Sequence, residues 1–408
     1  MAVDGPPLLV QYLQEVGGVV AADGQAAREG GVRKEKTMRF LTEGHVLVAG
    51  SLVLDILPRF ASGDGDAVAR DLLAQGRLTE SSEFVIYLGG AVGNTGLALK
   101  RLGQPVRLVS KVGDDRVGAI VQSLLADEKV DSSLTVVPGM RSTASIALAV
   151  PGRDKSTIHL RGAAQSFCAE DFTAELFRGA GLFHFGYPPT MPGLYRQDGE
   201  GFVQMLQRAK AAGVVTSVDT CLPDLKAEPG QVDWQPILKR ALPYVDLFLP
   251  SLEEALYMTG REAYIRRIQA CGAADLLPDV TEAEIRTLAD VMLGYGARIV
   301  LLKCGSRGLY LRTAGRDALA SILPPDMADA WAERELWEMP CRVDEVRSTT
   351  GAGDTAVAGF LCALRKGLLP GDALKLAACT AARCVASYDT VSRISDAEEM
   401  LLGLASHR

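Results

Sequence analysis

Ser348–Thr355 reads STTGAGDT and leads directly into the apolar, helix-patterned run AVAGFLCALRKG. Gly351, Ala352 and Gly353 leave backbone N–H groups uncovered by side chains. A helix starting here adds its own free N–H groups and the positive end of its dipole. Such a turn attracts an anion, and two chemistries fit the carboxylate of Asp354. Either it caps its own helix, as aspartate often does, or the N–H groups await a phosphate and Asp354 stands beside it as a base. A second glycine cluster, LGGAVGNTGLALKRLG (88–103), offers a similar pair of readings. Asn94 either caps a helix or hydrogen-bonds a hydroxyl of a ligand that approaches the backbone at Gly89 and Gly90. No G-x-G-x-x-G opens a first βα unit here, so the dinucleotide fingerprint is missing. Asp55 ends the run GSLVLD (50–55), as a turn former or as an acceptor for ligand hydroxyls.

These residues need a scaffold, and the chain predicts one. It has 408 residues, 48% of them hydrophobic and 23% charged, with formal net charge −7. That length suits one large domain with an accessory part, or two domains. No apolar run is long enough to span a membrane and no secretory pattern opens the chain, so a cytoplasmic location is expected. No basic stretch is interleaved with aromatics, which argues against a nucleic-acid surface. The eight cysteines form no CxxC pair and read as reduced, mostly buried thiols; the four dispersed histidines suggest no metal cluster. Residues 1–43 show no sustained period and are expected to form a poorly ordered extension, with Met38 a candidate start.

Beyond it, HVLVAGS (45–51), VRLVSKVG (106–113), GLFHFGY (181–187), VVTSVD (214–219), VDLFLP (245–250) and RIVLLKCG (298–305) are short apolar runs. They alternate with helical patterns, which predicts an α/β fold: a mostly parallel central sheet with helices on both faces. Ligands of such sheets bind beyond the carboxyl ends of the strands. EFVIYLG (83–89), TASIALAV (143–150) and STIHLR (156–161) instead alternate apolar with polar or small residues, the last two across the turn PGRDK. With residues near 55–60 they predict a small projecting β-sheet, a lid over the strand ends. Phe84, Ile86, Ile146 and Leu148 on this sheet have no helix layer to bury against, so a homodimer through the lids is expected. Residues 314–340 show no clear period and read as an irregular insertion.

Taken together, these stretches resemble the ribokinase/PfkB family of carbohydrate kinases. GGAVGNTGLA is similar to the family's N-terminal glycine signature and STTGAGDTAVAGFL to its C-terminal one. KVGDDRVG matches the G-D-D/N-x-x-G step, VDLFLPSLEEA stands where the family carries N-x-x-E, and KCGSRG (303–308) fits a loop at the nucleotide. The resemblance runs from about Val46 to about Leu402, and implies a ribokinase-like domain over 44–408. It implies ATP-dependent phosphorylation of a hydroxymethyl group on a sugar or sugar-like substrate, with Mg2+. Asp354 would take the acceptor's proton, and the N–H groups of Gly351, Ala352 and Gly353 would form an anion hole for the transferring phosphoryl group. Asp55, Gly89, Gly90 and Asn94 would hold the sugar. Lys303, Gly305, Gly308 and Thr350 would border the nucleotide, Cys379 to Ala386 would flank its base, and Glu254 would act on magnesium through water.

Two positions depart from the family. Ser251 replaces the asparagine of N-x-x-E, so hydrogen bonding around the metal's waters must differ. Ser348 replaces an aspartate that often helps bind a monovalent cation, so activation by such an ion is expected to be weak or absent. Competing readings are a nucleoside kinase of the same family and a catalytically silent sugar-binding regulator. A pure binder needs neither Asp354 nor the GAG turn. A nicotinamide dehydrogenase is disfavoured by the missing fingerprint.

Overall fold

The computed structural model describes residues 40–60, 65–150, 156–271 and 276–405. Its strands are β1 (His45–Gly50), β2 (Val53–Arg59), β3 (Glu83–Gly89), β4 (Val106–Gly113), β5 (Asp131–Val137), β6 (Ala144–Leu148) and β7 (Ser156–Leu160). β8 (Ala180–Gly186), β9 (Val215–Val218), β10 (Leu247–Phe248), β11 (Ile299–Lys303), β12 (Leu309–Thr313) and β13 (Glu335–Glu338) follow. Nine of them form one sheet in the order β13-β12-β11-β10-β9-β8-β1-β4-β5. From β11 to β5 every neighbouring pair is parallel; β12 and β13 add an antiparallel edge.

β1 shows why this sheet forms. Val46 to Ala49 are fully buried, and successive side chains point to opposite faces. Val46 and Val48 enter one core with Leu108, Leu301 and Phe360; Leu47 and Ala49 enter another with Phe183, Phe185 and Val300. Helices Ala352–Arg365 and Pro370–Val385 cover the first face, and Pro192–Ala211 and Trp234–Ala241 the second. A strand wet on neither side needs no polar alternation. β5 escapes the same sequence pattern because it is an edge, exposed at Asp131, Ser132, Thr135 and Val136.

The smaller sheet has the order β3-β2-β6-β7. β2 pairs antiparallel with β3 and parallel with β6, and β6 antiparallel with β7. Its own core is slight, with Leu57, Tyr87 and Ala147 at the centre, while Phe84, Ile86, Ile146, Ile158 and Leu160 are exposed. The turn PGRDK and Met38 lie outside the described residues, as does the extension up to residue 39. Leu41, just ahead of β1, is buried in the first core.

Two expectations are corrected. Residues 314–340 are regular: helices Arg316–Leu319 and Pro325–Trp331 lead into β13, which pairs with β12 at Tyr310↔Trp337. The helices are too short to show a period, and Pro324 and Pro325 occupy the start of one, where proline's missing N–H costs nothing. Packing fixes the segment instead, with Trp331 edge-on to Phe360 and Trp337 against Tyr310. The cysteines are not all thiols either, because Cys341 and Cys379 form a disulfide, with Cα atoms 5.5 Å apart. The fold brings the exit of β13 against helix Pro370–Val385, a proximity that spacing along the chain cannot show. Among the described residues Cys168, Cys221, Cys304, Cys362 and Cys384 take part in no disulfide.

Candidate active site

The parallel strands deliver their carboxyl ends to one edge of the sheet. There Tyr187 follows β8, Asp219 to Cys221 follow β9, Ser251 lies just past β10, and Lys303 ends β11. Helix Ala352–Arg365 starts at the same edge. Its N-cap is Gly351, at a left-handed φ of 76°. A β-carbon there would lie 2.9 Å from Thr390 Cγ2 and 3.1 Å from Asn94 Cγ, so the position requires glycine on two counts.

Because Gly351 takes the cap position, Asp354 lies inside the first turn, and no side chain caps this helix. The carboxylate is buried and accepts from elsewhere in the chain. Asn94 Nδ2 donates to Oδ2 at 2.8 Å, and the Tyr187 hydroxyl donates to Oδ1. The self-capping reading of Asp354 therefore falls. Asn94 belongs to a π-helical turn, Val92–Gly96, rather than to a helix cap. Its Oδ1 accepts from Thr390 at 3.1 Å, which leaves its second N–H for a ligand. Thr95 Oγ1 ties the same turn to the Asp354 carbonyl at 3.2 Å.

Lys303 Nζ donates to both oxygens of Asp219, at 2.6 Å each. Its Cδ, Cε and Nζ run within 3.5 Å of where a Gly353 β-carbon would sit, so the ammonium lies along the glycine turn. Burial pushes the Asp219 carboxyl up to about 7; Lys303 opposes this, and Glu254 and Asp354 reinforce it. Burial works against the charge of Lys303, but Asp219, Glu254 and Asp354 outweigh it and hold the ammonium above its ordinary range. Three carboxylates thus share one ammonium, a surplus of negative charge that suits a cation arriving with phosphates. Among the described residues no three His, Cys, Asp or Glu side chains converge to hold a metal directly.

Ser251 and Glu254 form a capping box for helix Leu252–Thr259. Ser251 Oγ accepts from Glu254 N at 3.2 Å, and Glu254 Oε2 accepts from Ser251 N and from Thr220 Oγ1, both at 2.8 Å. A serine in place of asparagine thus holds Glu254 at the site through the backbone. Ser348 is buried, and its hydroxyl accepts the Thr350 N–H at 3.2 Å.

A cavity of about 800 Å³ opens over these groups. Tyr187, Asp219, Glu254, Lys303, Gly305, Gly308 and Gly351 to Asp354 line it; Leu277, Leu309, Val343, Val346, Ala381, Ala382 and Val385 give it an apolar wall. The wall includes part of the predicted 379–386 stretch, and Cys341 of the disulfide stands in it. Thr349 lines the cavity and Thr350 does not; the Thr350 carbonyl instead meets Cys384 Sγ at 3.2 Å.

Asp55, Gly89, Gly90 and Asn94 also stay outside that lining and form a separate group. The Asp55 carboxylate lies so close over Gly89 that a β-carbon there would be 1.8 Å from Oδ2. Gly90, at φ 73°, brings its backbone against Ser51 O. This group meets the cavity through Asn94 and Asp354, so the carboxylate sits where the two sets of residues join. Sequence reasoning missed Tyr187, Asp219 and Thr220. The signal available was position alone, since each directly follows a buried strand.

A model of the pfkB family of carbohydrate kinases matches residues 63–397. A 2-dehydro-3-deoxygluconokinase of Bacillus subtilis is 25% identical over 307 residues, 74% of this chain and 81% of that one. Fructokinase-1 of Oryza sativa is 24% identical over 319 residues, 78% of this chain and 81% of its own. Among solved structures, Arabidopsis thaliana ribokinase complexed with ribose and ATP superposes with a TM-score of 0.61. It is 20% identical and aligns over 88% of this chain and 98% of its own, sharing the ribokinase-like fold. With the family model spanning most of a chain whose two glycine turns meet at one buried carboxylate, this protein belongs to the pfkB family of carbohydrate kinases.

Proposed function

We propose that the protein transfers the γ-phosphoryl group of ATP to a hydroxymethyl group of a sugar or sugar-like acceptor, with Asp354 as the base. The observation that carries this is the place of Asp354, buried at the junction of the cavity and the Asp55–Asn94 group. The acceptor hydroxyl gives its proton to Asp354 as its oxygen bonds the γ-phosphorus and the bond from that phosphorus to the bridging oxygen breaks, releasing ADP. The N–H groups of Gly351 and Gly353, with the Lys303 ammonium alongside, face the charge on the equatorial oxygens, and the Ala352 N–H, which donates to Thr349 O at 3.3 Å, joins them only by giving up that bond. Asp55, Gly89, Gly90 and Asn94 hold the acceptor. Lys303, Gly305 and Gly308 border the nucleotide, whose base lies against the apolar wall near Ala381 and Val385, while Thr350 stays behind that lining. Mg2+, held through water by Glu254, supplies neutralisation of the phosphate charge when bound.

The Ser348 hydroxyl, a weaker ligand than a carboxylate and engaged by the Thr350 N–H, supports at most a weak monovalent-cation site. ATP as the phosphoryl donor supports a cytoplasmic location, and among the described residues no helix is long and apolar enough to cross a membrane. The exposed apolar face of the smaller sheet, Phe84 and Ile158 included, supports a homodimer joined through the lids. An ATP-consumption screen over pentoses, hexoses, keto-sugar acids and nucleosides tests the reading. Turnover confined to nucleosides would replace the sugar assignment, and no turnover with any of them would favour a silent binder.

A further inference from the structure

Tyr187 has no task in the transfer chemistry assigned so far, yet it touches the base. It follows β8, lines the cavity, and donates its O–H to Oδ1 of Asp354. With Asn94 donating to Oδ2, each oxygen of the carboxylate already holds a donor before any acceptor arrives. Burial, and then the charges of Asp354 and Asp219, hold the phenol well above its ordinary range, so it stays a donor. An acceptor hydroxyl that gives its proton to Oδ1 beside the turn Gly351–Gly353 would meet the Tyr187 O–H on the same oxygen. A water in that place would be activated by Asp354 in the same way. Its oxygen would bond the γ-phosphorus as the bond to the ADP oxygen breaks, and its proton would pass to Asp354.

We propose that Tyr187 is a positioning residue that fills the acceptor's place on Asp354 until an acceptor hydroxyl displaces it, and so suppresses transfer of phosphate to water. The proposal rests on Asp354 being the base.

Tyr187→Phe keeps the ring and removes the donor. The measurement is ADP formation by the full chain with Mg–ATP and no acceptor, with Asp354→Asn and the double variant run in parallel. Loss of one buried hydrogen bond should raise acceptor-free hydrolysis on the order of tenfold. The double variant should return to background. Tyr187→Leu, which also lacks a donor, should show the same rise, and a thermal shift with ATP checks that each variant is folded. With an acceptor present, the ratio of ATP consumed to acceptor phosphorylated should climb, whereas a merely structural role would lower both together and leave the ratio unchanged. Unchanged or reduced hydrolysis in Tyr187→Phe and Tyr187→Leu, with Asp354→Asn inactive in transfer, overturns the proposal and leaves the base standing. Wild-type transfer by Asp354→Asn overturns both.

Discussion

Replacing Asp354 by asparagine keeps the shape of the side chain and removes its ability to take a proton. The surroundings set the cost to folding. Asn94 Nδ2 and the Tyr187 hydroxyl both donate into this carboxylate, and an amide offers only one acceptor oxygen. Tyr187 can turn its O–H and accept from the new NH2. Asn94 could accept only by flipping its own amide, which would break the bond from Thr390. The asparagine oxygen should therefore face Asn94, and its NH2 Tyr187. One rearranged buried hydrogen bond costs about 1–3 kcal/mol of stability, a fall in Tm of several degrees. Loss of a general base lowers kcat by roughly 10²–10⁴-fold, or about 3–5 kcal/mol of transition-state stabilisation. The two effects separate because the N–H groups of Gly351 to Gly353 remain, so nucleotide affinity should change little. Initial rates of ADP formation with saturating acceptor, together with calorimetric titration of ATP, measure both. Near-wild-type kcat would refute the reasoning. A loss lying wholly in ATP affinity would also refute it, since Asp354 would then serve the nucleotide and not the acceptor.

Asp55→Ala should raise KM for the acceptor, by an amount corresponding to about 1–3 kcal/mol for a lost buried hydrogen bond, and leave KM for ATP nearly unchanged; the reverse pattern would exchange the two ligand groups. His184 is fully buried in β8, with Nδ1 bonded to Ser217 and Nε2 without a partner; burial, aided by the charge of Lys303, pushes its imidazole down to about 3 from 6.5. The folded form thus binds the proton less well than the unfolded chain, so this contribution is complete above about pH 6.5 and is lost as pH falls towards 3, on the order of 4–5 kcal/mol. Thermal melts across that window should show a shallower acid decline for His184→Gln, and identical declines would refute the assignment. Light scattering at micromolar concentration should give the mass of two chains, and Ile158→Lys on the exposed lid face should give one; a monomeric wild type would end the lid interface.

The legible parts of this fold were those whose signal is local. β1 announces itself because a strand covered on both faces needs no polar alternation, and Val46 to Ala49 show that cover directly; β4 and β8 read as largely apolar runs in spite of Arg107, Ser110, Lys111 and His184. β5 and β13 lie at the sheet edges, where the requirement relaxes, and β13 is held by contacts such as Tyr310 with Trp337 that no periodicity carries. Cys341 and Cys379 likewise meet only because β13 ends beside helix Pro370–Val385. The two glycine turns were legible as places where backbone N–H groups are bare. What each turn does with its polar residue was not, and the difference is geometric. Aspartate at a helix start is ambiguous until the cap is assigned, and Gly351 takes the cap with a φ that other residues rarely adopt. That single backbone angle moves Asp354 into the first turn and hands its oxygens to Asn94 and Tyr187, 260 and 167 positions away. A carboxylate freed from its own helix and held by two distant elements can respond to a ligand that contacts either of them. The chemistry of this turn is therefore a property of three chain segments meeting, of which the sequence displays two as motifs and the third, Tyr187, as one aromatic residue after a buried strand.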